Sequence, residues 1–166
     1  MPETASGRGP FGGPAARAFG LAAAIVILDQ ITKLWAVSAL ELYRPVEILP
    51  FFNLTLLHNT GAAFSFLADA GGWQRWFFTG LTLVIGIGIA IWLLRLPKDE
   101  RLTRACLTLI LGGAIGNLID RVRLGYVIDF LDFHAAGWHW PAFNVADAAI
   151  SCGAVLLIVF GLLGRS

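Results

Sequence analysis

The sequence predicts an all-α membrane protein with four transmembrane helices, both termini cytoplasmic, and a small β-structured outer segment. Three observations predict it. Of 166 residues, 57% are hydrophobic and 14% charged, with a mean hydropathy of +0.74, whereas an ordinary soluble chain carries about 25% charge. Apolar runs close to the ~20 residues that a membrane span requires recur four times, over about 18–40, 76–94, 105–123 and 141–164. Basic residues are unevenly shared between the two sides: seven (Arg8, Arg17, Arg95, Lys98, Arg101, Arg104, Arg165) against five (Lys33, Arg44, Arg75, Arg121, Arg123). That excess places both termini in the cytoplasm. The net charge of +1, with no basic cluster interleaved with aromatics, offers nothing to a nucleic acid.

Residues 1–17, rich in Gly, Pro and Ala, read as a mobile tail ahead of one membrane domain, 18–166. A cleaved signal peptide over Phe19–Ala39 is disfavoured, because Asp29, Gln30 and Lys33 interrupt the run before the small residues at its end. In a retained helix, Asp29 and Lys33 stand four apart on one face with the acid first. They form either a structural ion pair at the helix end, with Lys33 snorkelling to the interface, or an anchor near a site.

Pro45 and Pro50 break helix, and Ile48 to Leu57 is aromatic and β-branched enough for one or two short strands. Asn59-Thr60-Gly61-Ala62-Ala63 is a turn of small side chains that would admit another backbone closely. Trp76 to Leu94 is uncharged and full span length; Trp73, Trp76 and Phe77 at one end and Trp92 at the other suit interfacial belts. Gly80, Gly86 and Gly88 are expected to serve close packing.

The third span has 15 uncharged residues from Ala105 to Ile119, so it should continue through Asp120 and Arg121, near the outer boundary. Gly112 and Gly116 make a face for close helix approach, and Asn117, Asp120 and Arg121 share a side that suits an inter-helix hydrogen-bond clamp. Residues 122–140 read as a second outer loop. Pro141 suits the first position of the last helix. Cys106 and Cys152 read as packed thiols at different depths rather than a disulfide.

Asp129 and Asp147 stand apart. Asp129 lies among Val127, Ile128, Phe130 and Leu131, and Asp147 sits on a membrane helix with no cation near it in sequence. If the loop folds one against the other, the two cannot both ionise in a dry site and would share a proton. Such a pair supplies a base for water and an acid for a leaving amine, without metal or cofactor. Zinc is poorly supported, since no His-Glu-x-x-His helix exists and His134 with His139 is a weak ligand pattern. Ser65 lacks the glycine turn of an activated serine. The residues alone leave open a small proton-linked transporter and a non-enzymatic membrane assembly factor.

Taken together, five blocks resemble the lipoprotein signal peptidase family, also called signal peptidase II or prolipoprotein signal peptidase. They are Asp29-Gln30-Ile31-Thr32-Lys33, Asn59-Thr60-Gly61-Ala62-Ala63-Phe64, Gly112 through Arg121, Val127-Ile128-Asp129-Phe130, and Phe143-Asn144-Val145-Ala146-Asp147. The resemblance implies a multi-pass aspartyl endopeptidase of the bacterial inner membrane, with its site near the periplasmic face and its β segment lying on the membrane. It implies Asp129 and Asp147 as the catalytic pair, and cleavage of diacylated prolipoproteins just before the lipidated cysteine. Inhibition by globomycin follows from it too. Asn59, Gly61, Asn117, Arg121, Asn144, Asp120, Asp29 and Lys33 are expected to bind substrate or support the site. No metal or cofactor is expected, and the protein is expected to act as a monomer among membrane lipids.

Overall fold

A computed structural model describes residues 13–61 and 72–164. Residues 1–12 of the expected tail, with Arg8, lie outside the described residues, as do Ala62, Ala63, Phe64, Ser65 and Arg165. Four helices are long and apolar enough to cross a membrane: α1 (Pro14–Ala39), α2 (Trp73–Arg95), α3 (Arg101–Arg123) and α4 (Val145–Leu162). α1 begins inside the stretch read as tail, with Pro14 in its first turn, where a missing N–H is harmless.

α3 is the hub. More than half (56%) of its apolar window is buried, against 17–22% for the other three helices, whose large side chains, such as Leu34, Val84 and Ile158, face outward as a lipid-facing surface would. Its small residues make this possible. A Cβ on Gly112 would sit 2.9 Å from Ile25 Cβ, and one on Gly116 2.6 Å from Asp29 Oδ2, so α1 lies against that face. Gly113 turns to α4 instead, where a Cβ would collide with the Ala146 carbonyl oxygen and stand 2.8 Å from Ile150 Cγ1. By contrast, a Cβ on Gly80 or Gly88 would meet nothing within 4 Å, and one on Gly86 only Leu111 at 3.9 Å. Those glycines of α2 therefore do not serve close packing among the described residues, contrary to expectation.

Because the atom facing Gly113 is backbone, it cannot rotate away. Gly113→Ala should push α3 from α4 and destabilise by about 1–3 kcal/mol, despite the better helix propensity of alanine, worth ~1 kcal/mol. A lowered melting temperature in detergent, with activity reduced in the surviving fold, is the expected readout.

The β structure is larger than expected. β1 (Val46–Leu49), β2 (Phe52–Asn59), β3 (Val127–Ala135) and β4 (Trp138–His139) form one antiparallel sheet in that order. The stretch read as a second outer loop thus supplies two of the four strands. Leu57 pairs with Asp129 and Asn59 with Val127. The sheet is seated on the helices by Ala36, Leu56, Ile128 and Phe130, which form one buried cluster. Arg75 closes the far end of α3, donating to the Arg121 and Val122 carbonyls at 2.9 and 2.8 Å.

The last helix starts later than Pro141. Phe143 exchanges backbone hydrogen bonds with Leu131 at 2.9 and 3.0 Å, which holds the segment before α4 extended against β3. Asn144 is the N-cap: its Oδ1 accepts the Asp147 N–H at 2.9 Å while Asp147 Oδ2 accepts the Asn144 N–H at 3.3 Å, a reciprocal capping box. Cys106 and Cys152 are both free thiols; Cys106 is buried as expected, whereas Cys152 is exposed on α4 rather than packed.

Candidate active site

The capping box fixes Asp147 in the first turn of α4, and the sheet register brings Asp129 on β3 up to the same turn. Asn144 joins them. Its Nδ2 donates to Asp129 Oδ1 at 2.7 Å and to the Ile128 carbonyl at 3.1 Å, while its backbone and Oδ1 engage Asp147. Asn59, from β2, donates to Asp129 Oδ2 at 3.0 Å and accepts the Gly61 N–H at 3.0 Å. Asn117, from α3, donates to Asp147 Oδ1 at 2.7 Å. Each carboxyl oxygen of the pair therefore has an assigned donor.

Asp129 is 2% exposed. Burial, and next the charge of Asp147, raise its pKa to about 7, against the opposing hydrogen bonds of Asn59 and Asn144 and the charge of Lys33. This carboxyl can therefore hold or release a proton near neutrality.

Beneath the pair lies a buried ion cluster. Lys33 is 1% exposed rather than at the interface, so the expected snorkelling does not occur. Its Nζ meets Asp29 Oδ2 and Asp120 Oδ2, each at 2.8 Å, and donates to Asn117 Oδ1 at 2.9 Å. All three ammonium donors are satisfied. Two carboxylates face one cation, and backbone donors take up the remainder: Asp29 Oδ1 accepts the Ala146 N–H at 2.9 Å, at the positive end of α4, and Asp120 Oδ2 accepts the Ile128 N–H at 3.2 Å. Gln30, not singled out from sequence, donates to Asp120 Oδ1 at 3.0 Å; its place beside Asp29 was the available signal.

The cluster thus holds Asn117 from below and α4 from its start. The amides of Asn117 and Asn144 are committed to these internal bonds, Asn144 Nδ2 also reaching Asn117 Oδ1 at 3.2 Å. Of the two roles expected of them, binding substrate or supporting the site, these bonds belong to the second. Arg121 leaves the clamp formed by Asn117 and Asp120, reaching the Gly61 carbonyl at 3.3 Å and lying over the Phe78 ring at 5.6 Å; it ties the end of the segment after β2 to the helix.

Two adjoining cavities flank the pair. One, of about 420 Å³, is lined by Asp129, Asn59, Asp132, His139 and Tyr43. The other, of about 470 Å³, is lined by Asp147, Asn117, Arg121 and, running down α4, Ala148, Ile150 and Cys152. Asn59 and the segment Trp140-Pro141-Ala142 border both. The sequence does not mark that segment, because Pro141 also suits a first helical position. No group of three or more metal-ligating side chains occurs among the described residues.

A small multi-pass membrane protein with facing acids at one end of its bundle is the class that fold and site define. Two solved bacterial membrane enzymes share the fold: one at 31% identity with a TM-score of 0.81, covering 90% of each chain, the other at 30% identity with a TM-score of 0.78, covering 93% of this chain and 97% of that one. The family model for signal peptidase II matches residues 21–163. The chain belongs to the signal peptidase II family of peptidases. Lipoprotein signal peptidases of Hydrogenovibrio crunogenus (57% identical over 139 residues, 84% of this chain and 81% of the relative) and Cupriavidus necator (58% over 135 residues, 81% and 77%) are among its relatives.

Proposed function

We propose that this peptidase is an aspartyl endopeptidase that removes the signal peptide from diacylglyceryl-modified prolipoproteins, cutting just before the lipidated cysteine. The observation that carries the reading is the Asn144 bridge, which holds the buried carboxyl of Asp129 and the half-buried carboxyl of Asp147, from separate elements, at one helix start. Asp129 and Asp147 hold one proton between them. The ionised member takes a proton from water as the water oxygen bonds to the scissile carbonyl carbon; the protonated member gives its proton to the departing amine as the C–N bond breaks. Asn59 and Arg121 line the cavities, and on this reading they meet the peptide and the developing oxyanion by exchanging their present bonds to Gly61 for bonds to substrate. The lipid-carrying side of the substrate lies over the apolar wall of α4, and the acyl chains fix the depth of the scissile bond. The protein sits in the bacterial inner membrane as a monomer, with cytoplasmic termini and its sheet on the outer face.

Purified protein given a diacylated prolipoprotein should release the signal peptide, and globomycin should block release. Because the Asp129 pKa is raised to about 7, the shared proton is present below that value and lost above it. The cleavage rate should therefore fall as pH rises through about 7, and fall again in acid once both carboxyls are protonated. A rate flat between pH 5 and 9 would reject the shared proton.

A further inference from the structure

A third cavity, of about 320 Å³, opens on the other side of the sheet from the acid pair, between the outer halves of α1 and α3. Its walls are apolar where α1 and the segment after it face outward: Leu34 and Val37 of α1, and Leu42 beyond its end, line it and are 62%, 48% and 43% exposed. Ile27, 59% exposed, lies seven residues before Leu34 on the same helical stripe and continues this surface down α1. Charged side chains enter it from both helices. Lys33 and Asp120 reach the wall, held to one another at 2.8 Å within the buried cluster that also contains Asp29. Arg123, in the last turn of α3, is exposed and makes no hydrogen bond or ion pair with any described residue.

An apolar trough running along a membrane helix, ending at an unpaired cation where the helix ends, matches an anionic amphiphile in both shape and charge. We propose that this cavity is a binding site for one anionic phospholipid, its phosphate on Arg123 and one acyl chain along Leu34, Val37 and Ile27. Lys33 and Asp120 both meet this cavity, and the lipid seals that wall, keeping water from the ion cluster that holds Asn117. This site is separate from the peptidase reading and does not depend on it.

The test uses the full chain purified in detergent and titrated with phosphatidylglycerol or phosphatidylcholine, with lipid retention followed by native mass spectrometry and stability by thermal melting. Phosphatidylglycerol should be retained one per chain, at least tenfold more tightly than phosphatidylcholine, and should raise the melting temperature. Arg123→Gln should abolish that preference, Arg95→Gln at the end of α2 should leave it intact, and Val37→Trp, which fills the trough, should reduce retention of the lipid. Equal retention of the two lipids would overturn the proposal. So would an equal loss with Arg95→Gln, which would mean general surface charge, or the same melting shift from inorganic phosphate alone, which would mean a free-anion site.

Discussion

Asp147→Asn and Asp129→Asn should each leave an inserted, folded protein that cleaves prolipoprotein at least about a thousandfold more slowly, within the ~10²–10⁴-fold range for a lost general acid or base. Each variant keeps the shape of the side chain. In Asp147→Asn the helix cap survives in part, because the new amide would still present an oxygen to the Asn144 N–H, while the bond from the backbone N–H at that position to Asn144 Oδ1 is untouched. What is lost is the proton exchange. An amide at either position cannot accept the proton of water or deliver one to an amine, so the rate should fall far more than stability. The new amide nitrogen would nevertheless face a donor (Asn117 Nδ2 at position 147, Asn59 or Asn144 Nδ2 at position 129) and lower the melting temperature somewhat. The two losses should also not add: the double variant should be about as slow as either single one, since the pair acts as a unit. Normal cleavage by either single variant would remove the aspartyl mechanism while leaving the family membership standing.

Why the spans were legible and the site only half so follows from the range of the interactions. A membrane helix declares itself through local composition, and all four were found to within about four residues. The strand β3 was not, because its residues Val127 to Phe130 are buried on both faces and show none of the alternation that marks a half-exposed strand. At α4 two local signals competed. Pro141 suggested a first helical position, while Asn144 followed three residues later by Asp147 is itself a capping signature; the pairing of Phe143 with Leu131 decided for the second. Spacing paired Lys33 with Asp29, but its second acid, Asp120, lies 87 residues away on another helix, and no periodicity can report that contact. The same limit applied to the acids: each was conspicuous alone, and Asn144 as the bridge between them was visible only once the sheet had folded.

Lys33→Met should be far more destabilising than a change in the acid pair. The substitution preserves length and apolar bulk but removes a cation with all three donors engaged, leaving Asp29 and Asp120 to face each other without water. Breaking a buried pair in this way typically costs about 3–5 kcal/mol, which in a chain of this size lowers the melting temperature by roughly 10 °C. Asp120→Asn should be milder, with residual activity, because Lys33 then keeps Asp29 and Asn117. The informative case is the double variant Lys33→Met, Asp120→Leu. Asp29 would still accept the Ala146 N–H at the positive end of α4, whereas the unpaired charge of Asp120 would be gone, so stability should recover above that of Lys33→Met alone. Cleavage should not recover with it, since Asn117 would have lost the ammonium that fixes its oxygen and therefore the aim of its Nδ2 at Asp147. Recovery of both together would mean that the cluster only holds the helices; recovery of stability alone would show that Lys33 also sets the position of Asp147.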